Sequence, residues 1–151
     1  MADKSLFHVG FWVKPAEVDR VIDFYREMLD FEPVARNPRR SGGERIFLRN
    51  ANMQYLEVLV ADDAQQLTHF PRHPNERVVG VAHLCFEIPS IADARATATR
   101  LGAEIIRQAP ADGSFGTSEN GVHRILFVQA PAGITVELFE FRERIHPGLE
   151  D

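Results

Sequence analysis

Residues 7–32 read FHVGFWVKPAEVDRVIDFYREMLDFE, and the change of period along them decides the fold. Phe7–Val13 is short, aromatic and β-branched, which is strand composition. From Val18 the apolar residues recur at helical spacing instead. Val18, Ile22, Tyr25 and Leu29 form a stripe, with Val21, Phe24 and Met28 beside it. That is an amphipathic helix. Pro15 suits its entry, and Phe31-Glu32-Pro33 marks the exit into a strand. Beyond lie a turn-rich connection, RNPRRSGG, and two strands, ERIFLRN and MQYLEVLVA, joined by a turn around Asn50–Asn52.

The same order returns in the second half. VAHLCFEIP is a strand and SIADARATATRLGAE an Ala-rich helix, with Ser90 as N-cap, Asp93 three residues on and Gly102 as its stop. IIRQAP is strand-like, ADGSFGTSENG is a Gly/Ser loop, and HRILFVQ and ITVELFEF are strands joined by APAG. Both halves therefore read β-α-β-β-β. LDFEPV at 29–34 aligns with LGAEII at 101–106. RIFLRNANMQYLEVL from Arg45 aligns with RILFVQAPAGITVELF from Arg124. His8 falls on His83, and Glu57 falls on Glu137. The reading is one α+β domain over 1–151, made of two tandem βαβββ modules at about 6–61 and 80–141 with a linker at 62–79.

The composition fits a soluble globular protein: 151 residues, 44% hydrophobic and 26% charged. No apolar run would span a bilayer, and MADKSLFHV has no apolar signal core. A cytoplasmic location, with no membrane partner, is the expectation. One cysteine, Cys85, forms no internal disulfide. It is expected to be a small buried hydrophobe. A net charge of −5 argues against nucleic acid as a partner. Arg36, Arg39, Arg40, Arg45 and Arg49 crowd one region, either as a solvated face or to recognise an anionic or oxygen-rich substrate.

A histidine in the first strand of each module and a glutamate in the last are the chemically notable pattern. Strand alternation puts His8 with Gly10 and Trp12, and His83 with Cys85 and Glu87. Glu57 lies with Tyr55 and Leu59, and Glu137 with Thr135 and Phe139. A lone strand histidine is usually a satisfied core or edge residue, and a lone strand glutamate usually faces water. Two of each at equivalent places among apolar residues ask for compensation of buried charge. One divalent cation supplies it. Two imidazoles and two carboxylates suit Zn, Ni, Co, Mn or Fe and leave positions open for a small-molecule substrate. His69 and His73 are assigned to the linker, and His123 and His146 have no aligned counterpart. Trp12, Phe47, Tyr55 and Phe139 either line a site or fill core.

HVGFWV, IDFYREMLDFE, LEVL, VAHLCFEIPSI and APAGITVELFEF together resemble the vicinal oxygen chelate superfamily. That superfamily includes glyoxalase I, methylmalonyl-CoA epimerase, extradiol dioxygenases and bleomycin-resistance proteins. The resemblance covers roughly residues 6–141. It implies paired modules forming a cupped, mixed or mostly antiparallel sheet, with the metal in the cup held by His8, Glu57, His83 and Glu137. It also implies catalysis by proton abstraction next to a bound carbonyl, with Glu137 as principal base and Glu57 as the second. Of the branches, cyclitol and sugar-ketone epimerases match the His/Glu/His/Glu set, and an epimerase of a small hydroxylated ketone is the expected activity. Glyoxalase I is the runner-up. Methylmalonyl-CoA epimerase resembles the chain in GVAHLCFEI but carries Gln where this chain has Glu57. A metal-free binding or resistance protein is the competing class. Members commonly form homodimers.

Overall fold

The computed structural model describes residues 6–62, 67, 81–118 and 121–144. The chain divides into two compact units, Met1–Phe70 and Pro71–Asp151. His69, His73, His146 and most of the 62–79 linker lie outside the described residues.

The first unit runs β1 (His8–Val13), a 3-10 turn (Pro15–Glu17), α1 (Val18–Leu29), β2 (Glu32–Pro38), β3 (Glu44–Arg49) and β4 (Tyr55–Val60). Its sheet order is β1-β4-β3-β2. β1 runs parallel to β4, and the other pairs are antiparallel. The first strand is therefore joined to the last, as a parallel pairing needs a long crossover between its members. α1 buries the stripe read from the sequence: Val18, Val21, Ile22, Phe24, Tyr25, Met28 and Leu29. Strand alternation supplies the other side of the core, with Val13, Ile46, Leu48, Leu56 and Val58 at 3% exposure or less. Each such side chain contributes roughly 1.5–3 kcal/mol by leaving water. Phe11 meets Tyr25 at 5.6 Å, which identifies the helix-covered face of β1. His8, Gly10 and Trp12 belong to the opposite face. The Tyr25 hydroxyl is buried with no hydrogen-bond partner among the described residues, and burial pushes it above the usual tyrosine range.

The helix ends as Asp30 turns left-handed at φ 56°, with its N–H reaching the carbonyl of Arg26. β2 runs further than expected, to Pro38, so the first three residues of RNPRRSGG are strand rather than turn. β2 is an edge strand, where Pro33 and Pro38 need not donate to a neighbour. The turn that follows depends on Gly43, at φ +71°. A Cβ there would lie 2.1 Å from the Val60 carbonyl oxygen.

The second unit runs β5 (Leu84–Glu87), α2 (Ile91–Arg100), β6 (Glu104–Ala109), β7 (Gly116–Ser118), β8 (Gly121–Gln129) and β9 (Thr135–Arg144). The order is β5-β9-β8-β6, with β7 also pairing β8. β5 is parallel to β9. The Gly/Ser loop expected at 111–121 thus contains a strand, because Thr117 pairs with Val122. Ser90 Oγ accepts the Asp93 N–H at 3.1 Å, the cap read from sequence. Gly102, at φ +68°, follows the helix as its stop.

A polar clamp ties this unit together. Arg124 donates to both Glu140 oxygens at 2.8 and 3.0 Å. The same glutamate accepts the Ile91 N–H at 2.6 Å, at the start of α2. Arg124 also donates to the Gly113 carbonyl at 2.9 Å. Burial alone would raise the Glu140 carboxyl. The Arg124 and Ile91 hydrogen bonds and the nearby guanidinium charges outweigh that and hold it below the usual range.

The two units share the βαβββ plan, so the α+β glyoxalase-like fold of paired modules with mixed sheets stands. One detail of the repeat is corrected. Phe47 is opposite Glu57, and Phe127 is opposite Glu137. Phe47 therefore corresponds to Phe127, and Arg45 to Ile125. Aligning Arg45 with Arg124 slips the strand by one residue, which moves every side chain to the other face. The turn lengths hid this, since NANM and APAG absorb a one-residue offset without any sign in composition. Among the described residues no helix is long and apolar enough to cross a membrane.

Candidate metal centre

The sheet face away from each helix carries the predicted residues. In the first unit β1 register puts Tyr55 opposite His8 and Glu57 opposite Gly10. His8 and Glu57 are therefore diagonal neighbours, and Nε2 of His8 lies 3.1 Å from Oε2 of Glu57. Leu56 and Val58 point into the core, as alternation requires. In the second unit Cys85 is opposite Glu137. Nε2 of His83 lies 2.8 Å from Oε2 of Glu137. His83 precedes the first residue of β5, so the strand VAHLCFEIP is shorter than its composition suggests.

Both glutamates are largely withdrawn from solvent, each side chain 12% exposed, while His8 and His83 remain about one-third exposed at 32% and 37%. Each pair has an aromatic wall. The His8 ring meets Phe47 edge-on at 5.6 Å, and His83 meets Phe127 edge-on at 5.7 Å. The duplicated unit is thus a triad of His, Glu and Phe, on three adjacent strands in the first unit and with His83 just ahead of β5 in the second. Phe127 was missed in the sequence because of the one-residue slip. Phe47, left open between site and core, belongs to the site face. So do Tyr55, against Phe7 at 5.2 Å, and Phe139, against His123 at 5.1 Å. Trp12 is 43% exposed and lies under the Arg39 guanidinium at 4.5 Å.

The modules differ where β1 and β5 face the glutamates. Gly10 leaves room for Glu57, since a Cβ there would sit 3.0 Å from Oε2. The second unit places Cys85 at the equivalent point. Contrary to expectation, Cys85 is exposed rather than buried, because it shares the sheet face away from the helix with Glu137. Its thiol is nevertheless drawn against Glu137. Partial burial, then the carboxylate's charge and hydrogen bond, push it up to about 11, so it stays protonated near neutrality. His8 Nδ1 is buried without a partner among the described residues.

The donors fit a divalent cation in kind and spacing. Donors at right angles on an octahedral ion with bonds of about 2.1 Å lie about 3 Å apart, close to the separation within each pair, which is equally that of a hydrogen bond. Among the described residues, no three or more His, Cys, Asp or Glu side chains gather as one group. The donors are assembled as two pairs, one in each unit.

A sequence model described as the glyoxalase/bleomycin resistance protein/dioxygenase superfamily matches residues 7–127. The chain belongs to this superfamily. No curated protein matches it at significant sequence similarity. Solved structures share the superfamily fold at low identity. A glyoxalase family protein from Enterococcus faecalis is 22% identical, with a TM-score of 0.65, covering 91% of this chain and 98% of that one. A glyoxalase family protein from Bacillus cereus is 16% identical, with a TM-score of 0.71, covering 93% and 97%. A mutant of the fosfomycin resistance protein FosX from Listeria monocytogenes, complexed with Mn(II) and 1S,2S-dihydroxypropylphosphonic acid, is 17% identical, with a TM-score of 0.62, covering 91% and 92%.

Proposed function

We propose that this superfamily member is a divalent-metal-dependent isomerase or epimerase of a small hydroxylated ketone. Residues 1–151 act as one domain, and His8, Glu57, His83 and Glu137 together hold one metal ion. The observation that carries the reading is the duplicated His–Glu pair, set on equivalent strands with the donor spacing of adjacent ligands. The Mn(II) in the FosX complex supports a cation in this fold.

When bound, the cation supplies Lewis acidity that favours loss of the proton next to a carbonyl. The chain's own groups do the rest. Glu137 is the principal base, taking that proton onto a carboxylate oxygen. Glu57 returns a proton to the opposite face of the same carbon, or to the neighbouring carbon. The first outcome is epimerisation and the second is isomerisation. Phe47 and Phe127 wall the two pairs and limit access of water to the carboxylates. Glyoxalase I chemistry begins with the same proton abstraction and is the runner-up. The working form is a homodimer, as is common in the superfamily.

A metal-free binding protein is favoured by one observation. Each carboxylate already has an imidazole within hydrogen-bonding reach, so its burial is compensated without a cation. Elemental analysis decides between the two. The enzyme reading expects about one divalent ion per chain, and deuterium uptake from D2O into hydroxylated ketones that chelation stops. Absence of metal, with no turnover restored by Zn, Ni, Co, Mn or Fe, refutes it.

A further inference from the structure

Besides the Gly10/Cys85 difference, the repeat breaks on the site face beside the first His–Glu pair, and there the break is a charge. Phe47 and Phe127 are equivalent, so the residue two before each is equivalent too: Arg45 in the first unit, Ile125 in the second. Arg45 shares its face with Phe47 and Glu57, since Ile46 and Leu48 take the core side at 0% exposure. Its Nη1 lies 3.6 Å from Glu57 Oε1, an ion-pair distance too long for a hydrogen bond. Its side chain is 44% exposed, and its guanidinium carbon is 5.9 Å from the Phe47 ring centre.

Two of the neighbouring arginines are committed elsewhere. Arg36 is held by both oxygens of Glu44. Arg39 lies over Trp12 and donates to the Gly42 carbonyl. Arg45 keeps most of its donor fork open beside the His8–Glu57 pair. An exposed ion pair at this distance adds little stability. Resting on the reading of Glu57 as a metal ligand, Arg45 would also stand close to a second positive centre. Two cations against one carboxylate repel each other, and an anion reaching both turns that repulsion into attraction.

We infer that Arg45 is the specificity-determining residue for a substrate that carries an acidic oxygen group, a carboxylate or a phospho group, next to its hydroxylated carbon. The guanidinium fork matches either group with two parallel hydrogen bonds.

The test uses three small probes differing in one group: glycolate, hydroxymethylphosphonate and the neutral glycolamide. Each is titrated calorimetrically into full-length protein with and without Mn(II), and Mn(II) binding is followed separately by water-proton relaxation. The expected result is preference for one or both acids over glycolamide in the wild type. Arg45→Met weakens acid binding roughly tenfold to a hundredfold, the scale of a lost charged hydrogen-bonding partner. Arg45→Lys recovers part of it, and Mn(II) affinity does not fall in either variant. The acid that responds identifies the group. Equal binding of acids and glycolamide by the wild type, or unchanged acid binding in Arg45→Met, overturns the inference. Failure of Mn(II) to bind refutes the metal reading instead, and the metal-free titrations then decide Arg45 by the same comparison.

Discussion

Replacing Glu140 with alanine should loosen the second unit more than any single surface change, through the clamp it forms. The substitution removes two hydrogen bonds from Arg124, at 2.8 and 3.0 Å, and one from the Ile91 N–H at 2.6 Å. Hydrogen bonds to charged groups contribute about 1.5–3 kcal/mol each, but not additively. Side-chain exposures of 21% for Arg124 and 14% for Glu140 leave some solvent to take over, and Arg124 keeps the Gly113 carbonyl. The expected net cost is about 2–4 kcal/mol, or roughly 5–15 °C in melting temperature for a chain of this size. Thermal unfolding followed by circular dichroism measures it. In Glu140→Gln the Ile91 bond survives and the loss should be about half. Arg124→Ala added to Glu140→Ala should cost far less than the sum of the two single changes. The sign with pH follows from the lowered carboxyl. The unfolded group takes up a proton at higher pH than the folded one, so its stabilisation is full above the ordinary value of 4.5 and is lost as pH falls through the folded value. The gap between wild type and Glu140→Gln should therefore narrow below that pH. A melting point moved by less than 2 °C in Glu140→Ala, or strict additivity with Arg124→Ala, would refute the clamp.

Glu137→Gln should abolish deuterium exchange next to the substrate carbonyl while the fold is kept, and full exchange in that variant moves the base elsewhere. Gly10→Ala should lower stability by about 1 kcal/mol, because the Glu57 carboxylate it displaces loses the imidazole that compensates its burial. The same change pushes the Glu57 carboxylate off His8, so metal affinity by competitive chelation should fall. Double substitution of His8 and His83 by alanine should lower the metal content to near zero, and retention of a full equivalent would remove both from the ligand set.

Much of this was legible in the sequence because burial leaves a period. The α1 stripe from Val18 to Leu29 and the alternation of Leu56 and Val58 against Glu57 were readable before any coordinates. The His–Glu pairing followed from chain order, because each module's first and last strands had to carry them. Three things were hidden. The Arg45/Arg124 match was tempting because RI occurs in both strands, yet register is fixed by cross-strand neighbours, and Phe47 opposite Glu57 with Phe127 opposite Glu137 shows the slip. β7 was hidden because Gly116-Thr117-Ser118 has turn composition and is strand only through its pairing with β8. Cys85 was misjudged because its exposure depends on which face of the sheet the helix covers, which is a property of tertiary packing.

That topology also governs when the donors meet. In each unit the strand at or next to the histidine is synthesised first and pairs, parallel, with the strand made last. A chain that has emerged only as far as β3 holds the imidazole of His8 but has no Glu57 to set beside it. Closing so long a loop is entropically slow, and local elements such as α1 and the β3–β4 hairpin have the advantage. The His–Glu contact is therefore a seal on a finished module.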